Sequence, residues 1–211
     1  MNAPISAAAL KKLPEPAAIQ QLHHYAYKAR DAEETRHFYE DILGLPLYHI
    51  IQSDYVPSTG EYCPYTHFFF RLRDGSFIAF FDIGDDEKAL PSPNTPLWVN
   101  HIAFRVDTVA DLERTRTRLQ AHGVEVLGIT DHHIFKSIYF FDPNGIRLEL
   151  SAQLAGDALM ARESKTAHAR LKEWTARKNQ WRKERAAGLA KGSLKPETND
   201  RPELVPPEQE S

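Results

Sequence analysis

The chain has one cysteine, Cys63, among its 211 residues. A single thiol excludes an intramolecular disulfide framework and suits a reducing compartment. No stretch approaches the ~18 consecutive apolar residues that a membrane helix needs. The opening residues, "MNAPISAAALKKLPEPAAIQ", lack a basic region followed by a long apolar run, so no signal peptide is expected. Excess charge is also scarce: the net value is −3 and the pI is near 6.4, which gives no overall pull toward nucleic acid or an anionic membrane. A soluble, cytoplasmic protein without nucleic-acid or membrane partners is the expectation. With 42% apolar residues, a chain of this length can build one domain with extensions, or two small modules sharing a sheet.

What is present is an internal repeat. Residues 21–29, "QLHHYAYKA", alternate like a strand. "DAEETRHFYEDILGL" then reads as a helix, with Asp31 as N-cap, Glu33 and Glu34 in the first turn, and Gly44 at the C-cap position. Three strand-like runs follow, "LYHIIQSDY" (47–55), "YTHFFFRLR" (65–73) and "SFIAFFDI" (76–83), the last two joined at Asp74-Gly75. The same order returns after about 75 residues. It runs through "WVNHIAFRV" (98–106), a helix over 107–123 ended by Gly123, then "VEVLGIT", "KSIYFFD" and "IRLELSA". The predicted fold is α+β, two tandem βαβββ modules (21–90 and 97–152) whose mixed sheets curl around a shared cavity. Residues 1–20 form an N-terminal arm, with one helical turn expected at Ser6–Lys12. From 155 to 190 the chain turns rich in Ala, Lys, Arg and Glu, with Leu171, Trp174 and Trp181 at helical spacing. Residues 191–211 are polar and Pro-rich and read as a flexible tail.

Aligning the two modules on their hairpin glycines, Gly75 and Gly145, superposes Ala79 on Glu149, and the first strands superpose His24 on His101. A lone strand histidine is more often a hydrogen-bonded core or surface residue than a ligand. Equivalence across a repeat, plus an acid in the apolar strand "IRLEL", changes that balance. Glu149 is tolerable there if it meets a cation that offsets its desolvation. His24, His101 and Glu149 are therefore the expected metal ligands, with His23 as the competing choice for His24. Two imidazoles and one carboxylate leave open positions on Fe(II), and zinc also accepts such a set. Taking Tyr139 as facing the same cavity, strand parity places Ser137 there too. The repeat matches His67 to Ser137, and His132 or His133 lies in the loop before that strand. One or two of these histidines are candidate acid or base groups. His37, His49 and His122 read as surface residues. Phe69 and Phe81, if inward, line an apolar pocket.

On these residues the chain resembles the vicinal oxygen chelate (glyoxalase/bleomycin resistance/extradiol dioxygenase) superfamily. The likeness lies in "HHYAYKARDAEETRHFYEDILGL", "NHIAFRV" and "DPNGIRLEL". Thr130-Asp131-His132, Ile138-Tyr139, Asp142-Pro143-Asn144-Gly145 and Glu149 look like the signature of type I extradiol ring-cleaving dioxygenases. That resemblance implies an Fe(II)-dependent enzyme, with Mn(II) or Zn(II) as alternative ions, opening a catechol-like ring with O2. It implies Glu149 as iron ligand, the signature histidine (His132 or His133) as a catalytic residue beside the metal, and Tyr139 on a substrate oxygen; His67 is the candidate for a second histidine. The alternatives are a metal-dependent glyoxalase-like lyase or isomerase, and a metal-free, drug-sequestering binding protein. A homodimer or higher homo-oligomer, packed through the C-terminal helix, is also expected.

Overall fold

The structure, a computed structural model, describes residues 14, 17–90, 92 and 94–190. The helical turn expected at Ser6–Lys12 and the tail 191–211 lie outside the described residues. In the first module β1 (His24–Lys28) leads to α1 (Ala32–Arg36), which continues as a π-helical turn (His37–Ile42). Then come β2 (Leu47–Tyr55), β3 (Tyr62–Arg71) and β4 (Phe77–Asp82). The second module holds β5 (Ile102–Val106), α2 (Val109–Ala121), β6 (Leu127–Asp131), β7 (Phe135–Phe141) and β8 (Arg147–Gln153), followed by α3 (Asp157–Ala190). The two four-stranded sheets have the orders β1-β4-β3-β2 and β5-β8-β7-β6. In each, the first strand pairs parallel to the fourth, and the rest is antiparallel. The predicted α+β class and the two βαβββ modules are those of the structure.

Local chemistry sets the boundaries. The Asp31 side chain accepts from the Glu34 amide and caps α1. Thr108 and Asp111 form a reciprocal capping box on α2. The expected first-module helix is only half α-helical, because from His37 the turns widen; Leu43 N donates to Phe38 O and Leu45 N to Tyr39 O. Gly128 in β6 has φ +116, and a Cβ there would stand 2.7 Å from the Ser137 carbonyl. Gly128→Ala should therefore cost about 2 kcal/mol or more through overpacking and backbone strain, readable as a lowered urea midpoint; an unchanged midpoint would refute it.

One core joins the modules. Phe38, Tyr39 and Ile42 from the first helical segment pack with Phe68, Phe70, Ile78 and Phe80, and with Leu112, Leu119, Ile138, Phe140 and Leu148 of the second module. Burying such side chains contributes roughly 1.5–3 kcal/mol each. Polar contacts lock the same face: Tyr39 donates to Asp142 at 2.9 Å, the Arg30 amide to Asn144 at 2.9 Å, and Arg118 to the Ile42 carbonyl at 2.7 Å. The helix-bearing faces of both sheets thus serve one core. By strand alternation the opposite faces, carrying His24 and Glu149, point away from it. Among the described residues, no helix is long and apolar enough to cross a membrane.

Candidate functional site

The register confirms the equivalence of the two modules at residue level. Ala79 pairs with Phe69 as Glu149 pairs with Tyr139, and His67 pairs with Phe81 as Ser137 pairs with Ser151. Ala26 pairs with Ala79 and Ala103 with Glu149, so His24 and His101, two residues earlier, stand at matching positions. His23 does not share that position.

On the second sheet, Glu149 is 4% exposed, in a strand flanked on both sides. Its Oε1 accepts from Ser137 at 2.5 Å, Ser151 at 2.8 Å and Tyr139 at 3.1 Å. Its Oε2 lies 3.0 Å from His101 Nε2. Burial pushes the Glu149 carboxyl up, but the three hydroxyl donors and His101 outweigh it, and the net shift is downward. His101 Nδ1 lies 3.0 Å from the Val99 carbonyl, which fixes its proton on Nδ1. The other ring nitrogen, Nε2, therefore faces a carboxylate oxygen. A proton or a cation has to lie between them. Two ligands about 2.1 Å from one ion and at right angles stand about 3 Å apart, so this spacing fits a shared divalent ion. Tyr139 also meets His132 Nε2 at 2.7 Å. If its one proton goes to Glu149, His132 must donate to the phenol oxygen, giving a continuous His132–Tyr139–Glu149 chain. Burial is the main reason the Tyr139 hydroxyl sits above its ordinary pKa, with Glu149 adding to it. His133 has φ 69, and its amide is held by Asp131. His132, not His133, reaches Tyr139.

On the first sheet, His24 Nδ1 lies 2.8 Å from His23 Nδ1, and its ring is 6.0 Å from that of His67 and 5.6 Å from Phe69. His67 is stacked on Phe81 at 3.7 Å, with Nδ1 2.9 Å from the Phe80 carbonyl. Its Nε2 is thereby left as the acceptor. Burial holds its pKa below the ordinary value, so the ring is neutral near pH 7. Phe77 and Phe81 share this face with Phe69.

Within one chain the expected ligands do not all meet. His101 and Glu149 are together, and His24 stands on the other sheet. Among the described residues, no three His, Cys, Asp or Glu side chains gather closely enough to hold a metal. The cavity expected to be shared by the two modules of one chain is therefore not closed by that chain. Four residues of these faces were not anticipated as site residues. His49 reads as surface in the sequence, yet its ring lies 5.6 Å from Phe69, where a bulge in β2 turns it. Ser151 holds Glu149, Arg147 lies over the Tyr139 ring at 4.4 Å, and Phe77 borders His23. Strand parity with Glu149 could have found Ser151 and Arg147.

Residues 21–150 match the Glyoxalase/Bleomycin resistance protein/Dioxygenase superfamily. The chain belongs to that family. It is similar to the metallothiol transferase FosB of Staphylococcus saprophyticus, 28% identical over 158 residues that cover 74% of this chain and 92% of that protein. A shorter likeness, 38% over 58 residues, links it to the "Putative ring-cleaving dioxygenase MhqA" of Bacillus subtilis, covering 28% of this chain and 18% of that one. Among solved structures, the glyoxylase/bleomycin resistance protein/dioxygenase domain from Frankia sp. EAN1pec shares the fold, with a TM-score of 0.54 at 18% identity over 65% of this chain and all of that one.

Proposed function

We propose that the chain is a divalent-metal-dependent enzyme of the lyase, isomerase or transferase kind, acting on a small molecule in a site built between two copies. The observation that carries this reading is the His101–Glu149 pair, 3.0 Å apart, with Glu149 buried and His101 exposed on a sheet face that its own chain leaves open. A third ligand, His24, is offered by the corresponding face of the first sheet, and two copies packed face to face supply it. When bound, the ion (Mn(II), Zn(II) or Fe(II)) would polarise a pair of substrate oxygens. Ser137 and Ser151 orient the carboxylate. Tyr139, which in this structure donates to Glu149, is backed by His132; on substrate binding its one proton would turn to a substrate oxygen and be replaced through that histidine. His67 Nε2, uncharged near neutral pH, is placed to take a proton. Phe69, Phe77 and Phe81 form an apolar wall that excludes water and packs the substrate body. The likeness to a metallothiol transferase over nearly its whole length favours non-oxidative turnover, with thiol transfer to an electrophile as one form.

A second reading, ring cleavage of a catechol-like aromatic with O2, is favoured by the His132–Tyr139 contact and the aromatic wall, and by the shorter likeness to MhqA. Metal analysis of anaerobically purified protein, then oxygen uptake against catechols and hydroquinones and thiol consumption against epoxides and dicarbonyls, separates them. Bound divalent metal with thiol consumption or isomerisation and no oxygen uptake supports the first reading. Stoichiometric iron with substrate-dependent oxygen uptake, lost in Glu149→Ala, replaces it with the second. Absence of bound metal at saturating supply overturns both.

A further inference from the structure

The α3 helix holds 34 residues, about 51 Å of helix, and none of its described side chains belongs to the core. Leu171, Trp174 and Trp181 are 63%, 53% and 55% exposed. With Lys178 and Arg185 they form a stripe spaced 3, 4, 3 and 4, the seam of a helix that packs along its length. The contacts recorded along the helix include Arg170 to Glu163, Gln180 to Glu184, and Arg177 over the Trp174 ring. Two exposed tryptophans on a solvated helix are costly unless covered, and large apolar side chains in such a stripe mark an interface.

Charge narrows the occupant. The helix carries nine Lys or Arg against four Asp or Glu, whereas residues 1–156 carry fourteen against twenty. Pairing α3 with α3 would bring Lys178 and Arg185 into the seam against like charges. The acidic body of another copy is the complementary surface. One segment of it unites both chemistries: the linker between the modules carries exposed Asp86 and Glu87 beside exposed Ile83, Leu90 and Trp98.

We infer that α3 is a strap that docks on a second copy of this chain, with its Leu171–Trp174–Trp181 stripe on the apolar part of the linker and Lys178 and Arg182, which lie in and beside that stripe, on Asp86 and Glu87. This rests on the two-copy site proposed above and adds the element that holds the copies together. In a twofold dimer the contact occurs twice, so each side chain acts twice on the association constant.

Sedimentation equilibrium of the full chain tests it, at about 0.1 M and 0.5 M salt, a range over which exposed ion pairs are progressively screened. The wild type is expected to be dimeric, dissociating more readily at high salt. Trp174→Gln with Trp181→Gln should raise the dimer Kd roughly tenfold or more, since buried aromatic anchors dominate such interfaces. Lys178→Glu with Arg182→Glu should weaken the dimer, and Asp86→Lys with Glu87→Lys in the same chain should restore it. Far-UV circular dichroism guards against misfolding, and the charge-swapped chain tests the contact without touching a tryptophan. An unchanged Kd in both variants overturns the strap and leaves the two-copy site standing. So does binding of α3 to anionic vesicles or duplex DNA without any effect on dimer Kd. A monomeric wild type overturns both the strap and the two-copy site.

Discussion

Co-expressed His24→Ala and Glu149→Ala chains are expected to recover about a quarter of wild-type turnover, although neither variant alone should keep more than about a thousandth. If a site takes His24 from one copy and His101 with Glu149 from the other, each twofold dimer holds two such sites. A mixed dimer concentrates both defects in one of them and leaves the other whole. Random assortment makes half the dimers mixed, each with one working site of two, hence about a quarter. The single variants fail for a local reason. Removing Glu149 leaves Ser137, Ser151 and Tyr139 without their common acceptor and takes one of three ligands from the ion, a change expected to cost several kcal/mol of transition-state stabilisation. The check is turnover, read beside metal content, which should return in the same proportion. Zero recovery in demonstrably mixed dimers would place the three ligands in one chain and sink the two-copy site.

That experiment follows from the point at which sequence reading and structure part furthest. Register within a sheet was legible. The repeat sets His24 two residues before Ala26, the partner of Ala79, just as it sets His101 two residues before Ala103, the partner of Glu149, and period-two alternation puts Ser137 on the face of Tyr139. The turn chemistry was legible too, since Asp31 and Gly44 stand where a cap and a stop belong. Which sheet faces which was not, because alternation says that a side chain leaves the core face and is silent on what it meets there. The apolar sets on both sheets, Phe68, Phe70 and Phe80 with Ile138, Phe140 and Leu148, meet around the helices of one chain, and that packing turns the histidine faces apart. His49 was missed for a related reason. A bulge between Leu47 and His49 breaks the period of two, and no residue pattern announces it. The Asp-Pro-Asn-Gly turn was read as part of a signature, but its first residue serves the joint between the modules.

Asp142→Ala is expected to lower stability by about 3 kcal/mol or more, a fall in Tm of roughly 6–12 °C for a chain of this size. The carboxylate is buried among four donors. Oδ1 accepts from the Asn144 and Ile146 amides at 2.9 and 2.7 Å, and Oδ2 from Tyr39 at 2.9 Å and Asn144 Nδ2 at 3.3 Å. Burial pushes its pKa up to about 6 despite those hydrogen bonds. A folded value above the unfolded one means that the native state holds the proton more tightly, so this group's contribution is best below about pH 4 and worsens until about pH 6. The shift corresponds to roughly 3 kcal/mol of cost at pH 7. Deleting the carboxylate removes that cost, yet it strands Tyr39, two amides and Asn144 in a packed interior at about 1–3 kcal/mol each, and the second sum is the larger. The sign is separately testable. Urea midpoints of the wild type should rise on going from pH 7 to pH 5, whereas Asp142→Asn, which keeps one acceptor oxygen for the amides and has no proton to gain, should lose that rise while folding normally. If Asp142→Asn keeps the whole pH dependence, the titrating group lies elsewhere. If Asp142→Ala melts with the wild type, the Tyr39–Asp142 contact does not hold the modules together, and the outward-facing sheets that make the two-copy site necessary lose their anchor.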